Sequence, residues 1–203
     1  MGDGTNIIEV ENLSKSFGDF KAVDGITFQV KAGEIFAFLG PNGAGKTTTI
    51  KMLTTLLNPS GGSIRLDGHD AATDKDAVRR AFGIVFQDAS LDDELSAWEN
   101  MELHAVLYGV PSGDLRARVT EMLTFVDLVD RKDSLVKTFS GGMKRRLEIA
   151  RGLLHKPKVL FLDEPTVGLD PQTRNHIWDY IQKLNREEGI TVFLTTHYMD
   201  EAD

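Results

Sequence analysis

The sequence predicts an α/β fold with a mostly parallel core sheet, an antiparallel β subdomain and an inserted helical subdomain. Short apolar runs alternate with helical stretches in the second half of the chain, which is typical of parallel strands joined by helices. A glycine-rich loop near residue 40 joins a buried strand to a helix, and a helix-rich block spans about 88–156. We therefore expect one domain over 1–203, with its core and β subdomain at about 1–87 and 157–203.

Three short segments predict the antiparallel layer. Residues 7–10 and 26–30 alternate between apolar and polar side chains, and 63–66 lies between glycine-containing turns. Asp24-Gly25 is the predicted turn between the first two segments.

The core elements follow from apolar runs, N-cap residues and breakers. The predicted core strands are 34–39, 83–86, 159–162 and 190–194. One predicted helix begins at 48, and the others span 74–80, 95–108, 114–126, 140–155 and 172–188. Because 199–203 has the pattern of a helix start, we expect the protein to continue beyond the last residue.

Composition excludes several classes of protein. The absence of cysteine excludes disulfides and thiolate metal sites, and it is compatible with a reducing cytoplasm. A net charge of −8 argues against broad nucleic-acid binding, and no nucleic-acid partner is expected. No apolar run approaches the roughly 18–20 residues of a membrane span, and the N-terminus lacks the pattern of a secretory signal.

Charge is unevenly distributed along the chain. Residues 81–115 contain acids but neither Lys nor Arg, whereas 144–158 is basic apart from Glu148. Each run is either a solvated face or a functional surface.

Eight residues fit the phosphate-binding pattern Gly-x4-Gly-Lys-Ser/Thr: Gly40, Pro41, Asn42, Gly43, Ala44, Gly45, Lys46 and Thr47. The strand before this loop and the helix after it provide the context that a true match requires. The glycines let backbone N–H groups surround phosphate oxygens, and the helix N-terminus adds partial positive charge. Lys46 can reach the β- and γ-phosphates, and the Thr47 hydroxyl can bind Mg²⁺. The alternative is a glycine-rich turn with a chance lysine.

Two further motifs carry polar chemistry. Asp163 and Glu164 follow the apolar run 159–162, so they lie at a strand end, where α/β sheets bind ligands. Asp163 can hold Mg²⁺ and Glu164 can act as general base, unless these carboxylates only cap the next turn. Ser140-Gly141-Gly142 opens a basic helix and predicts a second anion-binding helix N-terminus.

These motifs together resemble the nucleotide-binding subunits of ATP-binding-cassette (ABC) transporters, which are P-loop NTPases. The family's order of motifs is present from about residue 8 to the end: 40–47, Gln87, 140–142, 159–164, 168–170 and His197.

The resemblance implies a role for each matching residue. Phe17 would stack on adenine, Thr48 would add to the phosphate site, and Gln87 would link Mg²⁺ and the attacking water to the transport domain. Ser140 and Gly142 would cover the γ-phosphate bound by another subunit. Asp170 would communicate across the dimer, and His197 would contact the γ-phosphate and orient the base. The simpler alternatives are a core aromatic at Phe17, an edge-strand amide at Gln87, a helix N-cap at Asp170 and a structural histidine at 197.

The family implies two ATP molecules, with Mg²⁺, held between the subunits of a head-to-tail dimer, for which a homodimer is expected. The other expected partner is a transmembrane permease, which places the chain at the cytoplasmic face of the membrane. Phe139, Met143 and Val167 depart from the commonest family residues. The motifs that contain these departures, together with the segment 92–100, resemble those of the daunorubicin-resistance type of prokaryotic drug exporter.

Two other functions fit an ABC sequence: a soluble ATPase that acts on ribosomes or DNA, and a catalytically weak regulatory cassette. The soluble proteins usually carry tandem cassettes, coiled coils or basic patches, and none is visible here. Lys46, Glu164 and His197 argue against the regulatory cassette. Within the transporter interpretation, we hypothesise that Asp92, Asp93 and Glu94 meet a basic surface of the membrane partner.

Overall fold

A computed structural model describes residues 5–197, where two four-stranded sheets and six α-helices form. The predicted helix start at 199–203 lies outside the described residues. The strands are β1 (Asn6–Phe17), β2 (Phe20–Lys31), β3 (Ile35–Leu39), β4 (Gly61–Leu66), β5 (His69–Asp70), β6 (Phe82–Val85), β7 (Val159–Asp163) and β8 (Thr191–Thr196). The helices are α1 (Lys46–Leu53), α2 (Lys75–Ala81), α3 (Ala97–Leu107), α4 (Ser112–Phe125), α5 (Gly141–Gly152) and α6 (Pro171–Glu188).

The first sheet is antiparallel, in the order β2-β1-β4-β5. The turn predicted at Asp24-Gly25 is wrong, because Phe17 pairs directly with Phe20 and the hairpin turns between them. Asp24-Gly25 instead lies inside β2, where Gly25 has a φ of +65°. The pairing skips one residue of β2 there, so the sequence signal for a turn marks a β-bulge.

The second sheet is parallel throughout its described strands, in the order β3-β8-β7-β6. β7 and β8 are buried at every position, which explains their unbroken apolar character. The predicted P-loop NTPase fold, with its parallel and antiparallel sheets, is confirmed. All four parallel strands present their carboxyl ends at one edge.

The parallel sheet has an apolar core on each face. Leu160 and Leu162 point to the face covered by α3, α4, α5 and α6. Val159, Phe161 and Phe193 point to the other face, which packs against α1 and the antiparallel sheet. Each buried strand therefore contributes alternate side chains to two different cores.

The helices α3, α4 and α5, between β6 and β7, begin at residues that favour a helix start. Ser96 and Glu99 form a capping box at the start of α3, and Pro111 precedes α4. Ser140 caps α5 as predicted, but α5 ends at Gly152 rather than near 155. No helix within residues 5–197 is long and apolar enough to cross a membrane.

A contact between two glycines fixes the position of α5 on the sheet. A Cβ atom added at Gly83, in β6, would lie 2.1 Å from the carbonyl oxygen of Gly152, at the end of α5. Helix and strand backbones thus approach more closely than any side chain permits.

Gly83→Ala should therefore reduce the free energy of unfolding by about 1–3 kcal/mol, because the new methyl group forces α5 away from β6. Chemical denaturation would measure this loss. Gly113→Ala is the matched control, since a Cβ at Gly113 in α4 meets no atom within 4 Å. Equal stability of the Gly83 and Gly113 variants would contradict the close-contact explanation.

Candidate functional site

The predicted phosphate loop connects β3 to α1 at the edge where the parallel strands end. Gly45 is in the left-handed conformation, with φ +86°, and a Cβ there would lie 2.3 Å from the carbonyl oxygen of Ala22. Only glycine fits this position, and α1 begins directly after it. The first turn of α1 contains no acidic residue, so its N–H groups and partial positive charge remain suited to an anion.

Lys46 and Glu164 form a buried ion pair at this edge. Lys46 Nζ lies 3.1 Å from Glu164 Oε1, and both side chains are buried. The same ammonium group donates to the carbonyl oxygens of Gly40, at 2.7 Å, and Pro41, at 3.1 Å. The lysine is thus held inside the loop by acceptors that a phosphate group can replace.

Glu164 is fixed by its backbone as well as by its ion pair. It adopts a φ of +48°, which is unusual for a residue with a side chain, directly after β7. Its N–H donates to the carbonyl and the hydroxyl oxygens of Thr195 in β8. His197 Nδ1 lies 3.3 Å from Glu164 Oε2. Two predicted catalytic side chains, those of Lys46 and His197, therefore converge on the carboxylate of a third, Glu164.

The three predicted metal ligands also lie together. Thr47, Gln87 and Asp163 line one cavity of about 370 Å³ next to the phosphate loop. Asp163 is oriented by Thr195, whose hydroxyl donates to its Oδ1 at 2.6 Å. One carboxylate, one hydroxyl and one amide oxygen suit Mg²⁺, which retains waters and needs few protein ligands. The residues present therefore fit the predicted ion.

Two exposed aromatic side chains extend the site away from the phosphate loop. Phe17 and Phe20 line a cavity of about 690 Å³ together with Lys46, Thr47 and Thr48. Phe17 is 52% exposed, so the alternative of a core aromatic is wrong. Phe20, which is 64% exposed, was not predicted from the sequence. Its pairing with Phe17 across a two-residue turn identifies it, but the sequence pattern predicts the turn at Asp24-Gly25 instead.

The other predicted nucleotide-binding residues lie apart from this cavity. Of the described residues, those that line this cavity include neither 140–142 nor Asp170. Ser140 and Gly141 are exposed at the start of α5, and the Ser140 hydroxyl accepts from the N–H of Met143. A single chain thus carries two separate candidate anion sites.

Asp170 caps α6, as its simpler alternative predicted. Its carboxylate accepts from the Thr173 hydroxyl at 2.6 Å and from the Thr173 N–H at 3.0 Å. These hydrogen bonds, first that from the side chain, lower the pKa of Asp170. A Cβ at Gly142 would lie 2.3 Å from the same Thr173, so the starts of α5 and α6 are packed together. A role of Asp170 across a dimer stays a prediction.

Acidic side chains of the run 81–115 pair with basic side chains of the same chain. Asp93 pairs with Lys144 at 2.6 Å, and Glu94 pairs with Lys137 at 2.8 Å. The Asp92 carboxylate accepts from the N–H of Glu94. These acids therefore have partners within the chain, while Asp93 and Glu94 stay more than half exposed, so contact with a basic surface of a membrane partner stays a prediction.

Comparison with known proteins places this geometry in context. The ABC transporter family profile matches residues 23–167. The daunorubicin/doxorubicin resistance ATP-binding protein of Streptomyces peucetius is 47% identical over 98% of this chain and 60% of that protein. The linearmycin resistance ATP-binding protein of Bacillus subtilis is 43% identical over 97% of this chain and 63% of that protein. The chain thus spans less than two thirds of these relatives.

The fold also matches a solved structure. A dimeric ATP-binding cassette in a post-hydrolysis state, bound to ADP and Pi, superposes with a TM-score of 0.83. It is 30% identical, and the match covers 96% of this chain and 90% of that cassette.

Phe20→Ala should weaken ATP binding roughly 2- to 10-fold, since an exposed ring in the cavity would lose its contact with the nucleotide base. Titration calorimetry would measure the Kd. Leu56→Ala is the control, because Leu56 is 60% exposed but does not line this cavity. If Phe20→Ala leaves the Kd for ATP unchanged while Phe17→Ala raises it, only Phe17 contacts the base.

Proposed function

The chain belongs to the ABC transporter family, and from this premise we propose that it is the ATP-binding and ATP-hydrolysing subunit of a membrane exporter. The carrying observation is the convergence of Lys46 and His197 on the buried carboxylate of Glu164. This arrangement supplies a cation for phosphate, a base for water and a side chain to orient that base.

In the proposed complex, the triphosphate occupies the loop 40–47 and the base contacts Phe17 and Phe20. Lys46 exchanges Glu164 for phosphate oxygens, so the incoming anion frees the carboxylate. The backbone N–H groups at the start of α1 face the developing negative charge without rearrangement. Mg²⁺, held by Thr47, Gln87 and Asp163, would neutralise phosphate charge.

Hydrolysis then requires a water in line with the γ-phosphorus. Glu164 accepts a proton from this water as its oxygen bonds to phosphorus, and the bond to the β-phosphate oxygen breaks to release ADP and phosphate. His197 orients Glu164 and contacts the γ-phosphate.

We propose that the second anion site serves another copy of the chain. Ser140 and Gly141 are exposed, Gly142 is buried against Thr173, and all three lie outside the cavity of their own chain, so the start of α5 suits the γ-phosphate bound by a partner. The solved cassette is dimeric, which supports association of two copies. ATP would thus join two subunits, and its hydrolysis would weaken their contact.

A surface on α3 suits the permease. Leu103, Val106 and Leu107 are exposed on one helical face, and Leu107 is 70% exposed. Tyr108, at the end of α3, lines a groove of about 410 Å³ together with Pro111 and other residues. We propose that a cytoplasmic loop of a separate permease binds here and that the chain is peripheral at the cytoplasmic face of the membrane. The resistance proteins among the relatives support drugs or other hydrophobic compounds as cargo.

Glu164→Gln should reduce ATP turnover by roughly 10²–10⁴-fold, because the amide cannot accept the proton of the attacking water. ATP binding should persist, since Lys46 and the phosphate loop are retained. Phosphate release and nucleotide titration would measure the two effects, with Glu188→Gln, an exposed glutamate at the end of α6, as the control. Turnover within twofold of the original protein would refute the role of Glu164 as base.

Leu107→Asp should prevent recovery of the permease, since a charge would then face an apolar contact. The tagged full-length protein would be captured from detergent-solubilised membranes, with and without this change. Leu56→Asp is the control, because Leu56 is also exposed but lies outside α3 and its groove. Recovery of ribosomal or DNA-repair components, with no membrane protein, would overturn the transporter proposal and favour a soluble ATPase.

A further inference from the structure

Three charged side chains are buried on α5, within the helix that begins next to Ser140. Arg145, Glu148 and Arg151 are spaced three residues apart, so they share one face of the helix. All three are buried, and Glu148 is only 2% exposed. Burial removes water from the charged forms, and it thereby raises the pKa of Glu148 and lowers the pKa of both arginines. Charges buried at such a cost must be compensated by close polar contacts.

The contacts of these side chains hold a single loop, residues 86–90. Arg145 donates to the carbonyl oxygen of Phe86 at 2.6 Å and to that of Gln87 at 3.2 Å. Glu148 Oε1 accepts from the N–H of Ser90 at 2.8 Å. Arg151 donates to the carbonyl oxygen of Ser90 at 2.7 Å and also to its hydroxyl. Both ends of the loop are therefore attached to α5.

The group is also connected within itself. Arg145 Nη1 lies 3.3 Å from Glu148 Oε2, so one carboxylate joins the arginine at the first end of the loop to the backbone at the other end. We call Arg145, Glu148 and Arg151 the charge clamp. Removal of Glu148 would leave Arg145 without its carboxylate and Ser90 N–H without its acceptor.

We propose that the charge clamp consists of positioning residues, which hold Gln87 in register with the anion site at the start of α5. The inference rests on the proposed function, in which Gln87 lies beside the metal and Ser140 meets a second nucleotide. One rigid helix, α5, carries the charge clamp and begins at 140–142. A displacement of Gln87 is therefore transmitted to the subunit contact. The charge clamp thus links the state of the nucleotide in the phosphate loop to the position of the anion site at the start of α5.

Kinetics test this role. Glu148→Gln retains the shape of the side chain and an acceptor for Ser90 but removes the charge that faces both arginines. We expect kcat to fall roughly 10-fold, because Gln87 is displaced by a fraction of an ångström to an ångström, while the Kd for ATP stays within about twofold. Loss of ATP binding in parallel with kcat, or an unchanged kcat, would overturn the proposal.

The chain offers a matched control. Arg118 and Glu121 form a pair with the same spacing and order on α4, at 2.8 Å, and Arg118 donates to the carbonyl oxygens of Leu153 and Leu154 rather than to the loop 86–90. Glu121→Gln should leave kcat unchanged. If Glu148→Gln does not fold, Ser90→Ala removes only the hydroxyl contacts and should lower kcat in the same direction by a smaller factor.

A measurement without hydrolysis separates the charge clamp from the proposed function. Because the chain has no cysteine, spin labels can be attached at Ala89→Cys and Thr138→Cys, which are both exposed. In the nucleotide-free full chain, the distance between the labels should have a narrow distribution that broadens with Glu148→Gln but not with Glu121→Gln. An equally narrow distribution in both variants would refute the charge clamp, whereas absence of ATPase activity in the unaltered protein would refute only the proposed function.

Discussion

The order of the parallel sheet determines everything at the candidate site. β3, β8, β7 and β6 are neighbours, and parallel pairing places their carboxyl ends at one edge. The phosphate loop follows β3, His197 follows β8, Glu164 follows β7 and Gln87 follows β6. Residues separated by up to 157 positions therefore meet at this edge. Parallel strands need crossover connections, so the helices that cover the sheet are a consequence of the same topology.

Polar groups at this edge are compensated locally rather than hydrated. Lys46 has a carboxylate and two carbonyl oxygens within 3.1 Å, and Asp163 receives a hydroxyl hydrogen bond. The unusual φ of Glu164 is maintained because its N–H is held by Thr195 of the adjacent strand. A buried charge is costly when its partner is absent, so each of these groups constrains the others. The site is consequently preorganised before any ligand enters.

Features coded by contiguous residues could be predicted from the sequence. The phosphate loop, the buried runs of β7 and β8 and the Ser140 cap each depend on a few neighbouring side chains, and the structure contains all of them. Asp24-Gly25 has the composition of a turn, but a β-bulge and a turn make the same demand for positive φ at glycine. Only pairing with β1 distinguishes the two, and pairing is not a local property.

The partners of the charged residues were beyond prediction for the same reason. The acidic run after Gln87 and the basic run of α5 are about 50 residues apart, so the sequence alone left each run as either a solvated face or a functional surface. Their contacts follow from the position of α5, which depends on the approach of Gly83 to Gly152. A glycine in a strand indicates that another backbone segment packs closely against it, but the sequence does not identify that segment.

The separation of the two candidate anion sites follows from the same packing. The N-terminus of α5 is fixed against α6, where Gly142 contacts Thr173, while its later turns hold the loop 86–90. Among the described residues, 140–142 do not line the cavity that contains Lys46. Within the proposed function, each nucleotide therefore needs donors from two chains, and hydrolysis depends on their association. Within the same proposal, α5 holds the Gln87 loop through its buried charged side chains and exposes Ser140 and Gly141 at its start, so it would carry a change at the phosphate to the subunit contact.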